Sequence, residues 1–208
     1  KALAECSTIP VINALDDYAH PCQMLADLLT IYEKGKFDVP DMSKVKMTYL
    51  GDIHNNVTYD LMRSAAVLGF HMRVAGPEGE GFEVEQSVLD ECDELCKVSG
   101  GKVEVFHDAK TAIDAADIVY TDSWMSYGIP DSEKQRRIDA FGPFQVTEDL
   151  MKLAKPDAIF MNCLPALRGM EQTAEVVDGP QSVVFDEAEN RLHAQKALVK
   201  LLVDANSK

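Results

Sequence analysis

The chain has 208 residues, of which 46% are hydrophobic and 26% are charged, proportions that suit a globular protein able to bury a core. Acidic residues outnumber basic ones by 35 to 20, and the net charge of −15 argues against a nucleic-acid-binding protein, which needs a basic surface. No apolar stretch reaches the roughly 18 residues of a membrane-spanning helix. We therefore expect one large or two small domains, with neither nucleic acid nor a membrane as partner.

Five cysteines are scattered along the chain. Their odd number and wide spacing argue against a disulfide scaffold and favour a reducing, cytoplasmic location. Cys92 and Cys96 would need two further metal ligands, and no neighbouring His or Cys pair supplies them. We therefore expect no metal.

Short apolar runs alternate with helical patterns along most of the chain. Strands are predicted at 45–51, 71–75, 103–106, 118–121 and 158–161, with a sixth candidate at 182–185. Helices are predicted between them at 56–69, 83–99, 109–115 and 147–154. This alternation predicts an α/β fold with a doubly wound, mostly parallel sheet.

Two long helices stand outside this alternation. One is predicted from His20 to Lys34, with Pro21 in its first turn and Gly35 at its end. The other is predicted over about 187–203. Both would flank the sheet.

Ligands of doubly wound sheets bind beyond the carboxyl ends of the strands. The segments 51–56, 121–130 and 162–169 are therefore the places to look for a site. Segment 126–137, which contains glycine, proline and a charged run, is expected to be a mobile loop.

The helix at 20–34 carries a narrow polar stripe. His20, Gln23, Asp27 and Thr30 recur on one helical face, while the other positions are mostly apolar. The stripe either is buried against a polar ligand or partner or simply faces water.

Polar side chains also follow three of the predicted strands. Asn55 and Asn56 begin a helix, where amides and free backbone N–H groups suit a carboxylate, although ordinary N-capping is the alternative. Asp122 either pairs with an ammonium group or forms an Asx-turn. Cys163 lies either at a reacting centre or in a tight turn as a buried cysteine.

Two further observations concern the kind of ligand that the chain could bind. Only Gly51 is present where a dinucleotide-binding loop needs G-x-G-x-x-G, so a nucleotide cofactor is unsupported. Arg191 lies in the first turns of the last helix, where the helix dipole does not favour a cation. It indicates either an anionic ligand or an ion pair with Glu187, four residues earlier.

Taken together, these segments resemble the aspartate/ornithine carbamoyltransferase family. The resemblance covers nearly the whole chain and rests on HPCQ with Asp27, GDIHNN, TDSWMSYG, NCLP and FDEAENR, in that order. TDSWMSYG and the Asn pair resemble the ornithine branch. The resemblance implies that the δ-amine of L-ornithine attacks carbamoyl phosphate, giving citrulline and phosphate, in a homotrimer that needs no metal or organic cofactor.

The resemblance also implies roles for the matching residues. His20 and Gln23 would contact the carbamoyl group, and Arg191 would reach its carbonyl oxygen. Cys163 and Leu164 would lie at the reacting centre, with the Leu164 carbonyl holding the carbamoyl N–H₂ group. His20, Cys163 and Arg191 are thus the implied catalytic residues.

The resemblance implies a separate set of residues for binding the amino acid. Asn56 would take the carboxylate of ornithine, and Asp122 and Ser126 would hold its α-amino end, with Tyr127 beside the substrate. Asp27 and Asn55 would support the site from behind.

Three features depart from the family pattern. Asn162 stands where the family usually has His before Cys-Leu-Pro, and an amide cannot titrate near pH 7. Tyr127 stands where the ornithine branch usually has a Met that packs on the substrate methylenes, so putrescine is an alternative amine, although Asn56 and Asp122 favour ornithine. The phosphate-binding segment Ser-x-Arg-Thr-Arg is absent from the sequence.

The resemblance therefore predicts one part of a two-domain protein. Residues 1–19 would be an incoming segment, 20–34 an inter-domain helix, 35–186 the ornithine-binding α/β domain and 187–208 a carboxy-terminal inter-domain helix. The amino-terminal carbamoyl-phosphate domain would be largely absent. The alternative from a different class is a non-catalytic module or pseudoenzyme without turnover.

Overall fold

The computed structural model describes residues 2–35, 42–126 and 128–206. A five-stranded parallel sheet with the order β3-β2-β1-β4-β5 forms its centre. The strands are β1 (Lys46–Leu50), β2 (His71–Ala75), β3 (Lys102–Phe106), β4 (Ile118–Tyr120) and β5 (Ile159–Met161). The α/β class and the five predicted strands are confirmed.

The sixth candidate strand at 182–185 is wrong. Ser182 makes a single parallel bridge to Phe160, and a helix already begins at Val184. The β-branched run that suggested a strand therefore contributes one bridge and then the first turn of the last helix.

Helices cover both faces of the sheet, as a doubly wound fold requires. They are α1 (Ala2–Cys6), α2 (Pro21–Lys34), α3 (Asn56–Leu68), α4 (Gln86–Ser99), α5 (Ala109–Ile113), α6 (Lys134–Phe141), α7 (Glu148–Met151), α8 (Ala174–Val177) and α9 (Val184–Asn206). The predicted helices are confirmed, although several ends shift by a few residues. The last helix begins at Val184 rather than near residue 187.

Segment 126–137 is not a loop throughout. A 3₁₀ turn occupies Asp131–Glu133 and α6 follows it directly. Tyr127, which the sequence placed beside the substrate, lies outside the described residues.

Strand residues alternate between two cores. Tyr49 and Tyr120 point into one core together with residues of α2, α3 and α4, and their rings stack with centroids 6.1 Å apart. Leu50, Val119 and Phe160 point into the other core, beside residues of α5, α7 and α8. Because both faces are covered, a polar ligand finds room only where the strands end.

Helices α2 and α9 pack along one another. The Asn190 amide of α9 donates to the Thr30 hydroxyl at 3.0 Å and to the Glu33 carboxylate at 2.9 Å, and Lys34 pairs with Asp186 at 2.6 Å. The polar stripe of α2 is buried under this contact, so its water-facing alternative is wrong. The buried members are His20, Gln23, Asp27 and Thr30.

The five cysteines are free. Within the described ranges, no helix combines the length and the apolarity needed to cross a bilayer. The same ranges hold no cluster of three potential metal ligands.

Candidate active site

Three neighbouring strands end side by side and deliver polar residues to one edge. Asp52 follows β1, Asp122 follows β4 and Cys163 follows β5. The chain winds away from β1 in one direction through β2 and β3 and in the other through β4 and β5, and a doubly wound sheet has its ligand-binding crevice at such a reversal, here between the ends of β1 and β4. The Cys163 thiol reaches back to this crevice and donates to Asp122 Oδ1 at 3.2 Å.

Asp122 and Cys163 form a buried acid–thiol pair. Asp122 is only 9% exposed, and burial, reinforced by the Asp52 carboxylate, raises its pKa. Burial and the neighbouring Asp122 charge raise the pKa of Cys163 well above its usual value. The sulfur is therefore a protonated donor to Asp122 rather than a thiolate nucleophile.

The Asx-turn alternative for Asp122 does not fit the contacts. Its Oδ1 accepts from the N–H of the next residue, Ser123, at 2.6 Å, whereas an Asx-turn uses the residue two positions on. The Ser126 hydroxyl lies nearby and donates to the Ser123 carbonyl at 3.4 Å.

The carbamoyl side of the predicted site centres on α2 and α9. Arg191 Nη1 donates to Gln23 Oε1 at 2.5 Å. No ion pair joins Arg191 to Glu187 in the part of the chain that the structure describes, so that alternative is wrong. Arg191 Nε is buried without a hydrogen-bond partner among the described residues, as a guanidinium awaiting an anionic or carbonyl oxygen would be.

His20 precedes α2 and lies close enough to Arg191 to sense its charge. Its backbone N–H donates to Asp60 Oδ2 at 2.6 Å, which fixes the residue against α3. Burial and, second, the Arg191 charge lower the pKa of the imidazole, so it is neutral near pH 7. His20 Nδ1 is a second buried polar atom without a partner among the described residues.

A pair of buried carboxyl groups lies behind this region. Glu187 of α9 is fully buried; its Oε1 accepts from the Tyr120 hydroxyl at 3.0 Å and from Gln23 Nε2 at 3.3 Å, and its Oε2 accepts from the Asn162 N–H at 3.0 Å. Asp27 accepts from Gln23 Nε2 at 2.7 Å. Burial raises the pKa of both carboxyl groups. Sequence reasoning treated Glu187 only as a partner for Arg191 and missed this role.

The two asparagines after β1 have different partners. Asn55 caps α3, since its Oδ1 accepts from the Thr58 N–H at 2.8 Å, which confirms the capping alternative for this residue. Asn56 Nδ2 donates to the Asp16 carbonyl at 2.7 Å, so it faces the segment that enters α2. Its assignment to the substrate carboxylate stays a prediction.

Asn162 shapes the turn that carries Cys163. Its Oδ1 accepts from the Leu164 N–H at 2.9 Å, and its Nδ2 donates to Gln172 Oε1 at 3.0 Å. Leu164 has a positive φ of 51° and precedes a cis peptide bond to Pro165. The amide that replaces the expected His is thus part of a buried network and fixes the direction of the Leu164 backbone.

Sequence reasoning also missed an ion pair at the end of β1. Arg137 of α6 pairs with the buried Asp52, and its Nε donates to the Trp124 carbonyl at 2.5 Å. Asp52 lies inside the GDIHNN motif, but its partner is 85 residues away, in the charged run that was predicted to be a mobile loop.

Comparison with known proteins gives a consistent picture. Residues 43–202 match the family model "Aspartate/ornithine carbamoyltransferase, Asp/Orn binding domain", and residues 1–33 match the model of the carbamoyl-P binding domain of the same family. Ornithine carbamoyltransferase from Pyrococcus abyssi is 48% identical over 97% of this chain and 61% of that protein. The enzyme from Methanothermobacter thermautotrophicus is 48% identical over 97% of this chain and 64% of that protein.

Solved structures agree. Ornithine transcarbamoylase from Giardia lamblia matches with a TM-score of 0.89 and 44% identity, over 97% of this chain and 65% of that one. The enzyme from Pyrococcus furiosus matches with a TM-score of 0.85 and 48% identity, over 95% and 60%. The chain spans about three fifths of the length of these relatives. It belongs to the aspartate/ornithine carbamoyltransferase family.

Proposed function

We propose that this chain is the amino-acid-binding part of an ornithine carbamoyltransferase. The reaction transfers the carbamoyl group of carbamoyl phosphate to the δ-amine of L-ornithine and gives citrulline and phosphate. The supporting observation is the contact between Asp122 and Cys163 at 3.2 Å, together with the link of the Arg191–Gln23 pair through Glu187 to the N–H of Asn162, the neighbour of Cys163. An anionic pocket for an ammonium group thus lies beside donors for a carbonyl oxygen.

The donors suit the charge that the reaction develops. The neutral amine attacks the carbonyl carbon, and negative charge builds on the carbonyl oxygen. His20, Gln23 and Arg191 would stabilise that oxygen, and losing one such donor typically costs about 10²–10³ in rate. The raised pKa of Cys163 supports direct attack without a covalent enzyme intermediate, and the Leu164 carbonyl would hold the carbamoyl N–H₂ group.

Ornithine is the amine that fits the amino-acid side best. Asp122 would accept the α-ammonium group together with Ser126, and Asn56 would bind the carboxylate. Putrescine has neither group, so it would leave Asp122 and Asn56 without ligands. Asp27 and Asn55 would support the site from behind.

A second, carbamoyl-phosphate-binding half would complete the site. Large apolar side chains on segment 2–18 and on the outer sides of α2 and α9 are exposed, as on a surface that docks against another domain. Examples are Leu3, Ile9, Leu15, Tyr32, Leu192 and Leu201. We accordingly assign 1–19 to an incoming segment, 20–34 and 187–208 to inter-domain helices and 35–186 to the ornithine-binding domain. The whole enzyme would be a cytoplasmic homotrimer of arginine metabolism that needs no metal or organic cofactor.

The test is citrulline formation from carbamoyl phosphate and L-ornithine. The polypeptide is assayed alone and after addition of the amino-terminal half of a relative, with putrescine in a parallel reaction. We expect turnover with ornithine when both halves are present. Ornithine binding without turnover in either mixture would favour the non-catalytic module, and turnover of putrescine alone would refute the choice of amine.

A further inference from the structure

One buried carboxylate connects four elements that meet behind the candidate site. Glu187 belongs to α9, and the groups that donate to it belong to β4, to α2 and to the turn after β5. We propose that Glu187 is a positioning residue that sets the orientation of Gln23 and, through Gln23, of Arg191. The proposal rests on the proposed function, because it concerns the carbamoyl side of that site.

The two ends of the Gln23 amide face different partners. Its N–H₂ group lies between two carboxyl groups, 2.7 Å from Asp27 Oδ1 and 3.3 Å from Glu187 Oε1. An N–H₂ group only donates and an amide oxygen only accepts. The two carboxyl groups therefore select the N–H₂ end, and the oxygen must face Arg191, which donates to it at 2.5 Å.

Both oxygens of Glu187 act as acceptors. Oε1 accepts from Tyr120 and Gln23, while Oε2 accepts from the Asn162 N–H at 3.0 Å. A carboxyl oxygen can accept even when it carries a proton shared with Asp27, whereas a glutamine at this position has one oxygen that accepts and one N–H₂ group that only donates. Whichever way it turned, a buried donor would face its N–H₂ group, and an unpaired buried donor is costly.

Glu187 also contacts the turn after β5. The Asn162 N–H that Oε2 holds begins the turn that carries Cys163 and Leu164. Glu187 thus ties the guanidinium of Arg191 and the backbone of that turn to one rigid carboxylate. A positional error of about 1 Å at a reacting centre can cost roughly 100-fold in rate.

The variant that tests this is Glu187→Gln in the protein supplied with its carbamoyl-phosphate-binding half. We expect kcat to fall about 100-fold, whereas the dissociation constant of L-ornithine stays within about twofold, because Asp122 and Asn56 keep their contacts. Glu187→Asp retains two acceptor oxygens and should recover part of kcat relative to Glu187→Gln. The matched control is Glu189→Gln on the same helix, whose carboxylate is 70% exposed and whose loss should leave both quantities unchanged.

A crystal structure of the Glu187→Gln chain gives a readout that does not depend on turnover. It should show the Gln23 amide turned or Arg191 displaced from it. An unchanged Gln23–Arg191 pair, an unchanged kcat, or an equal loss of kcat and ornithine affinity would each overturn the proposal. If the unaltered protein makes no citrulline, the proposed function fails, and the crystal structure still decides the positioning role.

Discussion

The two buried carboxylates at the sheet edge, Asp52 and Asp122, have partners of different charge. Asp52 faces the guanidinium of Arg137, whereas Asp122 faces the protonated thiol of Cys163. Among the described residues, no cation lies within ion-pair distance of Asp122. A buried carboxylate that is partnered only by neutral donors is well suited to receive an ammonium group from a ligand.

Replacing this carboxylate should therefore affect one substrate selectively. In the complete enzyme, Asp122→Asn should weaken ornithine binding about 10- to 100-fold, the range of a hydrogen bond to a charged group. Carbamoyl phosphate binding should change little, because its proposed contacts lie on His20, Gln23 and Arg191. Titration calorimetry with each substrate measures both effects, and equal weakening of the two would remove Asp122 from the ornithine side.

The neighbouring thiol should prove dispensable for bond formation. Cys163→Ser keeps a donor toward Asp122, and a serine hydroxyl is no thiolate, so a mechanism without a covalent intermediate predicts measurable residual turnover. The check combines steady-state citrulline formation with intact mass of the unaltered protein quenched during turnover. A trapped carbamoyl-thioester on the unaltered protein would contradict direct attack.

Among the elements, the turn after β1 shows how backbone geometry admits a large side chain to the site edge. Gly51 has a φ of +125°, and a Cβ atom there would lie 3.0 Å from Trp124 Nε1 and 3.4 Å from Thr121 Oγ1. Trp124 is itself buried and packs on Phe141 of α6, with ring centroids 5.8 Å apart. The glycine thus lets the indole lie against the end of β1.

Gly51→Ala should destabilise the fold by about 1–3 kcal/mol, since φ in this region is strained for any residue with a side chain. The free energy of unfolding, measured in urea, tests this value. Gly81→Ala is the matched control, because its φ of +82° is also positive but a Cβ there meets nothing within 4 Å, so it should cost less stability than Gly51→Ala. Equal stability of the Gly51 variant and the unaltered chain would refute the steric argument.

Some helices and strands could be predicted from the sequence and others could not. Strands with apolar runs and helices ended by Gly69 and Gly100 were predictable, because both glycines adopt the left-handed cap that ends a helix. Helix α6 was not, since Gly128 and Pro130 shortly before it and its own charged residues are typical of a loop, while its stability depends on Phe141 packing and on the Arg137–Asp52 pair.

The candidate site was predictable only in part for the same reason. The motifs indicated which residues belong to the site, and the neighbouring ends of β4 and β5 explain why Asp122 and Cys163 lie together. Glu187 lies 164 residues from Gln23, and no local pattern reveals that a carboxylate on one helix will accept from an amide on another. Long-range polar contacts of this kind depend on packing.

For the molecule as a whole, the buried carboxyl groups and the net charge of −15 both make the folded state less stable as pH rises. Burial raises the pKa of Asp27 to about 7, and it also raises the pKa of Glu187, Asp52, Asp122 and Glu171. Over the pH range between the unfolded and folded pKa values, the folded state then binds more protons than the unfolded state. Its stability is therefore lost as pH rises through that range.

Two groups of residues oppose this trend without cancelling it. The imidazoles of the buried His20 and the partly buried His71 have lowered pKa values, chiefly through burial, so their contribution to stability grows with pH up to their usual range near about 6.5. Exposed carboxylates with lowered pKa values, such as Asp149 beside Lys152, act only below about pH 4 and are screened by solvent. A variant that removes one carboxyl group with a raised pKa separates the contribution of the buried carboxyl groups from these two opposing contributions.

Asp27→Asn is that variant. An amide resembles the protonated carboxylic acid, so the free energy of unfolding should fall less steeply between about pH 4 and about pH 7 than in the unaltered chain. Asp149→Asn, which removes an exposed carboxylate, should leave the slope above about pH 5 unchanged. Urea unfolding at constant ionic strength measures the three curves. If the curves for Asp27→Asn and the unaltered chain run parallel across this range, Asp27 is not the group whose ionisation opposes folding, and the buried pair must titrate through Glu187 alone.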